Sequence, residues 1–424
     1  MRVVLSSRAY LEKANIGVSR ALGAILDFFY EFSDVFRQGT FSLALCAVGD
    51  LLAGVSLGFM MDMLRLLPGL MILIPPAIDM RGNVYGALGS RLGTAMHIGV
   101  FSPDLKDGVL RKNMQASLLI TILMSVALGF LARAVAALFG LKSISAAAFV
   151  VISVVGGVIS GVILLFVVTA LAILGYRRNW DIDNVSAPIV TAVGDIVTLP
   201  SLYVAALLTL LLPEEVILVL FAIFVALAAA CAFYGLDADD RDVRRIFRES
   251  VPMLFVAGLL SAFAGVTIES RLESFLTLPA LLIMVPPFLA EGGALSGILA
   301  ARISSMLHIG TARPKLMPEK DVLKNFVIIY MFAAFVFSLV GVSAWAVSHA
   351  MGLATPPLAR MGAATLIGGL LCATFLNFFT YYVAVAAFTF GLDPDNECIP
   401  ITTSTMDVIG VLCILLAVAL SLGG

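Results

Sequence analysis

Runs of about 20 apolar residues recur along the whole of this sequence, and they restrict its fold more than any other feature. A run of that length crosses the roughly 30 Å hydrocarbon core of a bilayer as one α-helix. Inside lipid the backbone can hydrogen-bond only to itself, which excludes open sheets and bare loops. Composition agrees, since 61% of the 424 residues are hydrophobic and 13% are charged, against about 25% charged in a soluble domain. The expected fold is an all-α polytopic membrane protein embedded in a lipid bilayer.

Eleven windows read as transmembrane helices: 42–62, 69–97, 114–139, 146–174, 187–212, 215–235, 250–269, 279–308, 324–348, 360–388 and 399–421. Of the 26 Lys and Arg residues, 18 fall in or at the edge of the segments on the N-terminal side, against four on the other. That excess places the N-terminus in the cytoplasm and the C-terminus outside, in what is expected to be the plasma membrane. Segment 8–37 mixes charges with Leu, Ile and Phe at helical spacing, so an amphipathic cytoplasmic helix is expected there. The first 40 residues lack a signal-peptide layout. No basic block suggests nucleic acid. The five cysteines are scattered, without a CxxC pair, and are expected as small apolar packing residues.

A duplication organises the chain. "LPGLMILIPPAIDMRGNVYGALGSRLGTAMHIG" (67–99) aligns without gaps on "LPALLIMVPPFLAEGGALSGILAARISSMLHIG" (278–310), with 13 of 33 positions identical at an offset of 211. "DIDNVSAPIVTAVGD" (181–195) aligns on "DPDNECIPITTSTMD" (393–407), with seven of 15 identical at an offset of 212. The expected domains are a cytoplasmic segment (1–35), a five-helix repeat (36–212), a connecting helix and loop (213–246), and a second five-helix repeat (247–424). Six spans separate equivalent points, so the two repeats are parallel and their pseudo-two-fold axis runs along the membrane normal.

Ionisable residues within lipid are candidates for function. Asp195 lies about ten residues into the fifth span, roughly 15 Å deep at the helical rise, and Asp407 is its repeat partner in the eleventh. If these spans line the axis, the two carboxylates face each other near the midplane. Close carboxylates in a low dielectric require a cation or a shared proton. Thr191 and Thr403 precede each aspartate by four residues, on the same helix face. Oxygen ligands of this kind suit Mg²⁺, Mn²⁺ or Ca²⁺. The alternative is a structural hydrogen bond or ion pair, and recurrence in both repeats favours the cation.

The second span is long for an upright crossing, and Pro75-Pro76 with Gly82 predicts a kinked or broken helix. Asp79, Arg81 and Asn83 cluster there, with Glu291 and Ala294 in the second half. Asp79, Asn83 and Glu291 are secondary pore-lining candidates; a packing kink is the simpler alternative. "DIDN" and "DPDN" (181–184, 393–396) read as helix N-caps, and Arg91 and Arg302 as snorkelling residues. Asp50 and Glu269 have Ser261 and Gly58 as counterparts, which makes them poor site candidates.

The pairing of "PPAIDMRGNVYGALGSRL" with "DNVSAPIVTAVGDIVTL", repeated in order, resembles the MgtE family of divalent-cation transporters. It is similar to the tandem form, in which two such membrane domains are fused, as in the eukaryotic magnesium solute carriers and their prokaryotic relatives. The resemblance covers 36–212 and 247–421. It implies a cation pore between two five-helix units, lined by their second and fifth spans, with Mg²⁺ bound by the aspartates that map to Asp195 and Asp407. Bacterial members carry large cytosolic Mg²⁺-sensing domains with no counterpart in these residues, so gating is expected to take another route. Ala294 in place of Asn83 makes the expected pore asymmetric.

The function expected is transport of Mg²⁺ or another hard divalent cation such as Mn²⁺, with no other cofactor, no enzymatic activity and a single chain acting as a pseudo-dimer. The alternative from another class is an intramembrane aspartyl protease using Asp195 and Asp407. "AVGD" is half of that family's signature, but the "PAL" at 279–281 precedes the second aspartate and the repeat has no role in that scheme.

Overall fold

A computed structural model describes residues 32–97, 99–103, 108–178, 182–390 and 394–422. Most of the amphipathic segment expected over 8–37 lies outside them, as do the side chains of 181–184 and 393–396 and that of His97. Thirteen α-helices and no strand are present among the described residues. They are α1 (Ser33–Phe59), α2 (Met61–Leu66), α3 (Leu70–His97), α4 (Val109–Leu138), α5 (Ala146–Arg178), α6 (Ile182–Leu211), α7 (Glu214–Leu236), α8 (Arg241–Glu269), α9 (Leu272–Thr277), α10 (Pro279–Ile309), α11 (Lys320–Ala350), α12 (Leu358–Thr389) and α13 (Pro394–Leu422).

Ten of these helices are long and apolar enough to cross a membrane, and the chain is an integral membrane protein. The one expected span outside these ten, 69–97, forms as α3, but its prolines, Asp79, Arg81 and Asn83 dilute its apolar character. Such a helix tolerates these groups because protein surrounds it. It packs on α4, α5 and α6, and also on α8 and α13. At the other extreme, only 11% of the apolar window of α7 is buried, against 72% for α10. α7 therefore lies at the periphery, touching α4, α5 and α8.

Of the kinked or broken helix expected at the Pro-Pro pairs, the broken form does not occur. α3 runs through Pro75 and Pro76, and α10 through Pro286 and Pro287. Proline has no N–H, so each pair leaves carbonyls four residues earlier without a helical donor. Neighbouring glycines pack directly on these carbonyls. A Cβ on Gly265 of α8 would stand 2.7 Å from the Met71 carbonyl oxygen and 2.8 Å from that of Ile72, and one on Gly54 of α1 would collide with the Ile283 carbonyl. Gly54 and Gly265, and Ile72 and Ile283, are each separated by 211 residues.

Other contacts recur at the same offsets. Arg91 Nε donates to Asn113 Oδ1 at 2.7 Å, and Arg302 Nε donates to Asn325 Oδ1. The two asparagines in turn donate to the carbonyls of Val109 and Asp321. Gly99 and Gly310, with φ of 76° and 80°, stop α3 and α10 in the left-handed region that lacks a Cβ penalty for glycine. The short helices α2 and α9, absent from the sequence expectation, also sit at one offset.

Cys231 and Cys372 are buried free thiols and Cys46 and Cys413 half-buried ones, consistent with packing roles.

Candidate functional site

The acids of the membrane helices gather into two groups, and the second helix of each half contributes to both the packing and the charge. In the first group, Asp79 of α3 reaches across to the other half. Its Oδ2 accepts from Ser261 Oγ of α8 at 3.0 Å and from Ser404 Oγ of α13 at 2.7 Å. Its Oδ1 accepts from Asn83 Nδ2 at 3.0 Å, one turn along α3. Asp407 of α13 accepts from the same Ser261 Oγ at 2.8 Å. A serine carries one hydroxyl hydrogen, so Ser261 shares it between the two carboxylates.

In the second group the positions matching Ser261, Ser404 and Asn83 are held by Asp50, Ala192 and Ala294, none of which carries a hydroxyl or amide donor. Asp195 of α6 is 6% exposed and Asp50 of α1 is 2% exposed. Their carboxyls lie within hydrogen-bonding reach of one another. Glu291 of α10 is 0% exposed, and neither of its oxygens has a hydrogen-bond partner. Asp50 Oδ1 has none either. Glu291 is within electrostatic reach of Asp50 and of Cys46. A buried carboxylate without a partner loses its hydration uncompensated, a cost of several kcal/mol per ion.

The groups occupy corresponding places, because Asp50 and Ser261 are 211 residues apart and Asp195 and Asp407 are 212 apart. The two groups adjoin: Asp79 is in electrostatic reach of both Asp195 and Asp407, and those two of each other, while Asp195 also meets Asp50 and Asp407 meets Ser261. Among the described residues no three His, Cys, Asp or Glu are arranged to hold a bare metal ion.

The remaining sequence candidates are distributed unevenly. Thr403 is half-buried and faces Gly293 of α10, whereas Thr191 is exposed. Arg81 does not join Asp79 and Asn83. It points the other way, fully buried, with Nε donating to Ser160 Oγ at 2.9 Å and Nη2 to Ser125 Oγ at 3.2 Å. Gly157 makes room for it, since a Cβ there would collide with Nη2. Glu269 caps α3, accepting from Gly69 N at 2.8 Å and Met71 N at 3.3 Å. His308 Nδ1 donates to the Ser304 carbonyl at 3.0 Å, and the ring packs edge-on against Phe388.

Asp50, Ser261 and Ser404 were missed by sequence reasoning. Asp50 was set aside because its counterpart is a serine, yet both positions adjoin the fifth-helix aspartates. The usable signal was the pairing itself, an acid and a hydroxyl at one offset, each able to meet a carboxylate.

Comparison with known proteins identifies the family. The MgtE family, described as divalent cation transporters, matches residues 74–205 and again 285–417. The mouse "Solute carrier family 41 member 3" is 22% identical over 365 residues, covering 80% of this chain and 73% of the relative. The rat member 3 is 21% identical over 375 residues, 82% of this chain and 79% of its own length. The human member 2 is 24% identical over 290 residues, 63% of this chain and 49% of that protein. No solved structure matches, and no match supports the protease alternative. Two matches that together cover more than half of its length make this chain a member of the MgtE family of divalent cation transporters.

Proposed function

We propose that the chain carries Mg²⁺, or a cation of the same hardness such as Mn²⁺, across the plasma membrane between two parallel five-helix repeats (36–212 and 247–424). The segment 213–246 joins the repeats and 1–35 lies on the cytoplasmic side. The N-terminus is cytoplasmic and the C-terminus external, and one chain suffices as a pseudo-dimer. The path runs beside α3, α6, α10 and α13, where Asp195, Asp407, Asp79, Glu291, Asn83 and Thr403 supply oxygen. Thr191, exposed one turn from Asp195, lies toward the cytoplasmic approach.

The observation that carries this reading is the concentration of five carboxylates (Asp50, Asp79, Asp195, Glu291, Asp407) on the facing helices of an otherwise apolar bundle. Uncompensated, that much buried negative charge opposes folding. A passing divalent cation offsets it. Water-mediated contacts keep binding shallow enough for release.

Purified protein in liposomes loaded with a Mg²⁺-sensitive dye tests the proposal. Wild type is expected to admit Mg²⁺ down its gradient, and the Asp195→Asn, Asp407→Asn double variant to lose that flux while keeping its helical content. Normal flux in the double variant would overturn the assignment. Repeating the assay with imposed H⁺ or Na⁺ gradients distinguishes a channel from a coupled carrier, whose flux follows the gradient.

A further inference from the structure

The two acidic groups began as one design, and they now differ in what neutralises them. Around Asp407 the protein supplies its own donors: Ser261, Ser404 and Asn83 direct hydrogens at the Asp79–Asp407 pair. Around Asp195 the corresponding positions supply none. Ser261 is replaced by Asp50 and Ser404 by Ala192, which packs against Gly49 instead. A third acid, Glu291, enters from α10 in place of Met80. The outcome is three carboxylates on α1, α6 and α10, with both oxygens of the wholly buried Glu291 and one oxygen of Asp50 left without a partner.

A donor-rich group has hydrogens supplied by the fold, whereas an acid-only group needs a shared proton or a cation, and a proton shared by Asp50 and Asp195 leaves Glu291 still without a partner. We infer that Asp50, Asp195 and Glu291 form the resting divalent-cation site of this chain, off the axis between Asp195 and Asp407. This rests on the transport reading and refines where the ion waits. Among the described residues no three such side chains are arranged to hold a metal ion directly, so Mg²⁺ sits among the acids with most of its waters, each water donating to a carboxylate oxygen now lacking a hydrogen. The three acids come from both halves, α1 and α6 from the first and α10 from the second. Occupancy therefore ties the halves together, and the ion's departure loosens that tie.

The experiment uses the full-length purified chain and Mn²⁺, which is visible by paramagnetic resonance and similar to Mg²⁺ in its ligand preference. Free Mn²⁺ is titrated against wild type, Glu291→Gln, Asp50→Asn and Asp407→Asn, and the Mn²⁺-dependent rise in Tm is recorded in parallel. Glu291→Gln and Asp50→Asn are each expected to weaken Mn²⁺ about tenfold or more, the scale for contacts made through water or a second layer. Their Tm without Mn²⁺ is expected to equal or exceed that of wild type, because an unpaired buried charge is gone. A merely structural role would lower it. Asp407→Asn is expected to weaken Mn²⁺ by less than either.

Wild-type Mn²⁺ affinity in both Glu291→Gln and Asp50→Asn would overturn the site, as would a larger loss in Asp407→Asn. If Glu291→Gln does not fold, Asp50→Asn decides alone. The transport reading fails separately, through absent Mg²⁺ flux in wild-type liposomes. Intact flux with unchanged Mn²⁺ affinity in the Glu291 and Asp50 variants would sink this inference and leave transport standing.

Discussion

Asp407 and Asp195 occupy matched positions in duplicated helices, yet Asp407 accepts from a serine hydroxyl where Asp195 meets the carboxyl of Asp50. Hydrogen bonds from neutral donors to a charged group contribute about 1.5–3 kcal/mol each, so the Asp79–Asp407 group is stabilised by the fold itself. Around Asp195 the fold offers Asp50 and an unpartnered Glu291. Two substitutions at matched positions, Ser261 against Asp50 and Ser404 against Ala192, account for most of the contrast. The difference shows how a duplicated scaffold can keep one copy as structure and give the other to an ion. A strictly symmetric pair would bind two ions equally or none.

The largest effect expected from breaking this contrast is at its centre. Asp195→Asn removes the charge that both Asp50 and a passing cation meet, and Mg²⁺ flux in liposomes should fall about 100-fold, within the 2–5 kcal/mol range for truncating one member of a buried charged set. Wild-type rates in this variant would show that the ion takes another path. The exchange Asp50→Ser, which gives the first half the hydroxyl of the second, should weaken Mn²⁺ binding about tenfold. Unchanged affinity would mean that Asp50 is a spectator.

The converse change acts on stability. Ser404→Ala strips a 2.7 Å donor from Asp79 and is expected to cost about 1–3 kcal/mol, read as a lowered Tm in cation-free buffer. An unaltered Tm would indicate that Asp79 is not held by this hydroxyl.

A smaller effect lies outside the membrane. Lys112 Nζ stands 2.9 Å from Asp240 Oδ2, and this ammonium holds the Asp240 carboxyl below the usual carboxylate range. The pair therefore stabilises the fold above the unfolded carboxyl pKa of about 4, and that contribution disappears as pH falls through the lower folded value. Lys112→Ala should lower stability by about 0.5 kcal/mol at neutral pH and make no difference at pH values below both. A loss that persists in acid would point to packing rather than charge. Because the pair is solvent-exposed, added salt should shrink the effect as well.

Much of this architecture was legible because lipid leaves few options. Apolar runs of spanning length announced the helices, and the two aligned blocks announced which residues correspond. What could not be read was which side chains meet. The sequence places Arg81 between Asp79 and Asn83, but the helical turn of about 100° per residue carries it to the opposite face, into a niche made by Gly157, Ser125 and Ser160. The Pro-Pro pairs suggested a break because the partner of the freed carbonyls, a glycine on the first helix of the other half, is about 190 residues away in sequence for one pair and more for the other. Asp50 was discounted for want of an acidic counterpart, when the absence of symmetry was the informative part.

The central claim is that the cation rests with Asp50, Asp195 and Glu291 rather than midway between the two fifth-helix aspartates. A structure of the protein determined in Mn²⁺, with the ion located by its anomalous scattering, tests it most directly. The account predicts one dominant peak bounded by Asp195 of α6, Asp50 of α1 and Glu291 of α10, with ordered water between metal and carboxylates. A dominant peak at Asp79 and Asp407, or on the line joining Asp195 to Asp407, would contradict it.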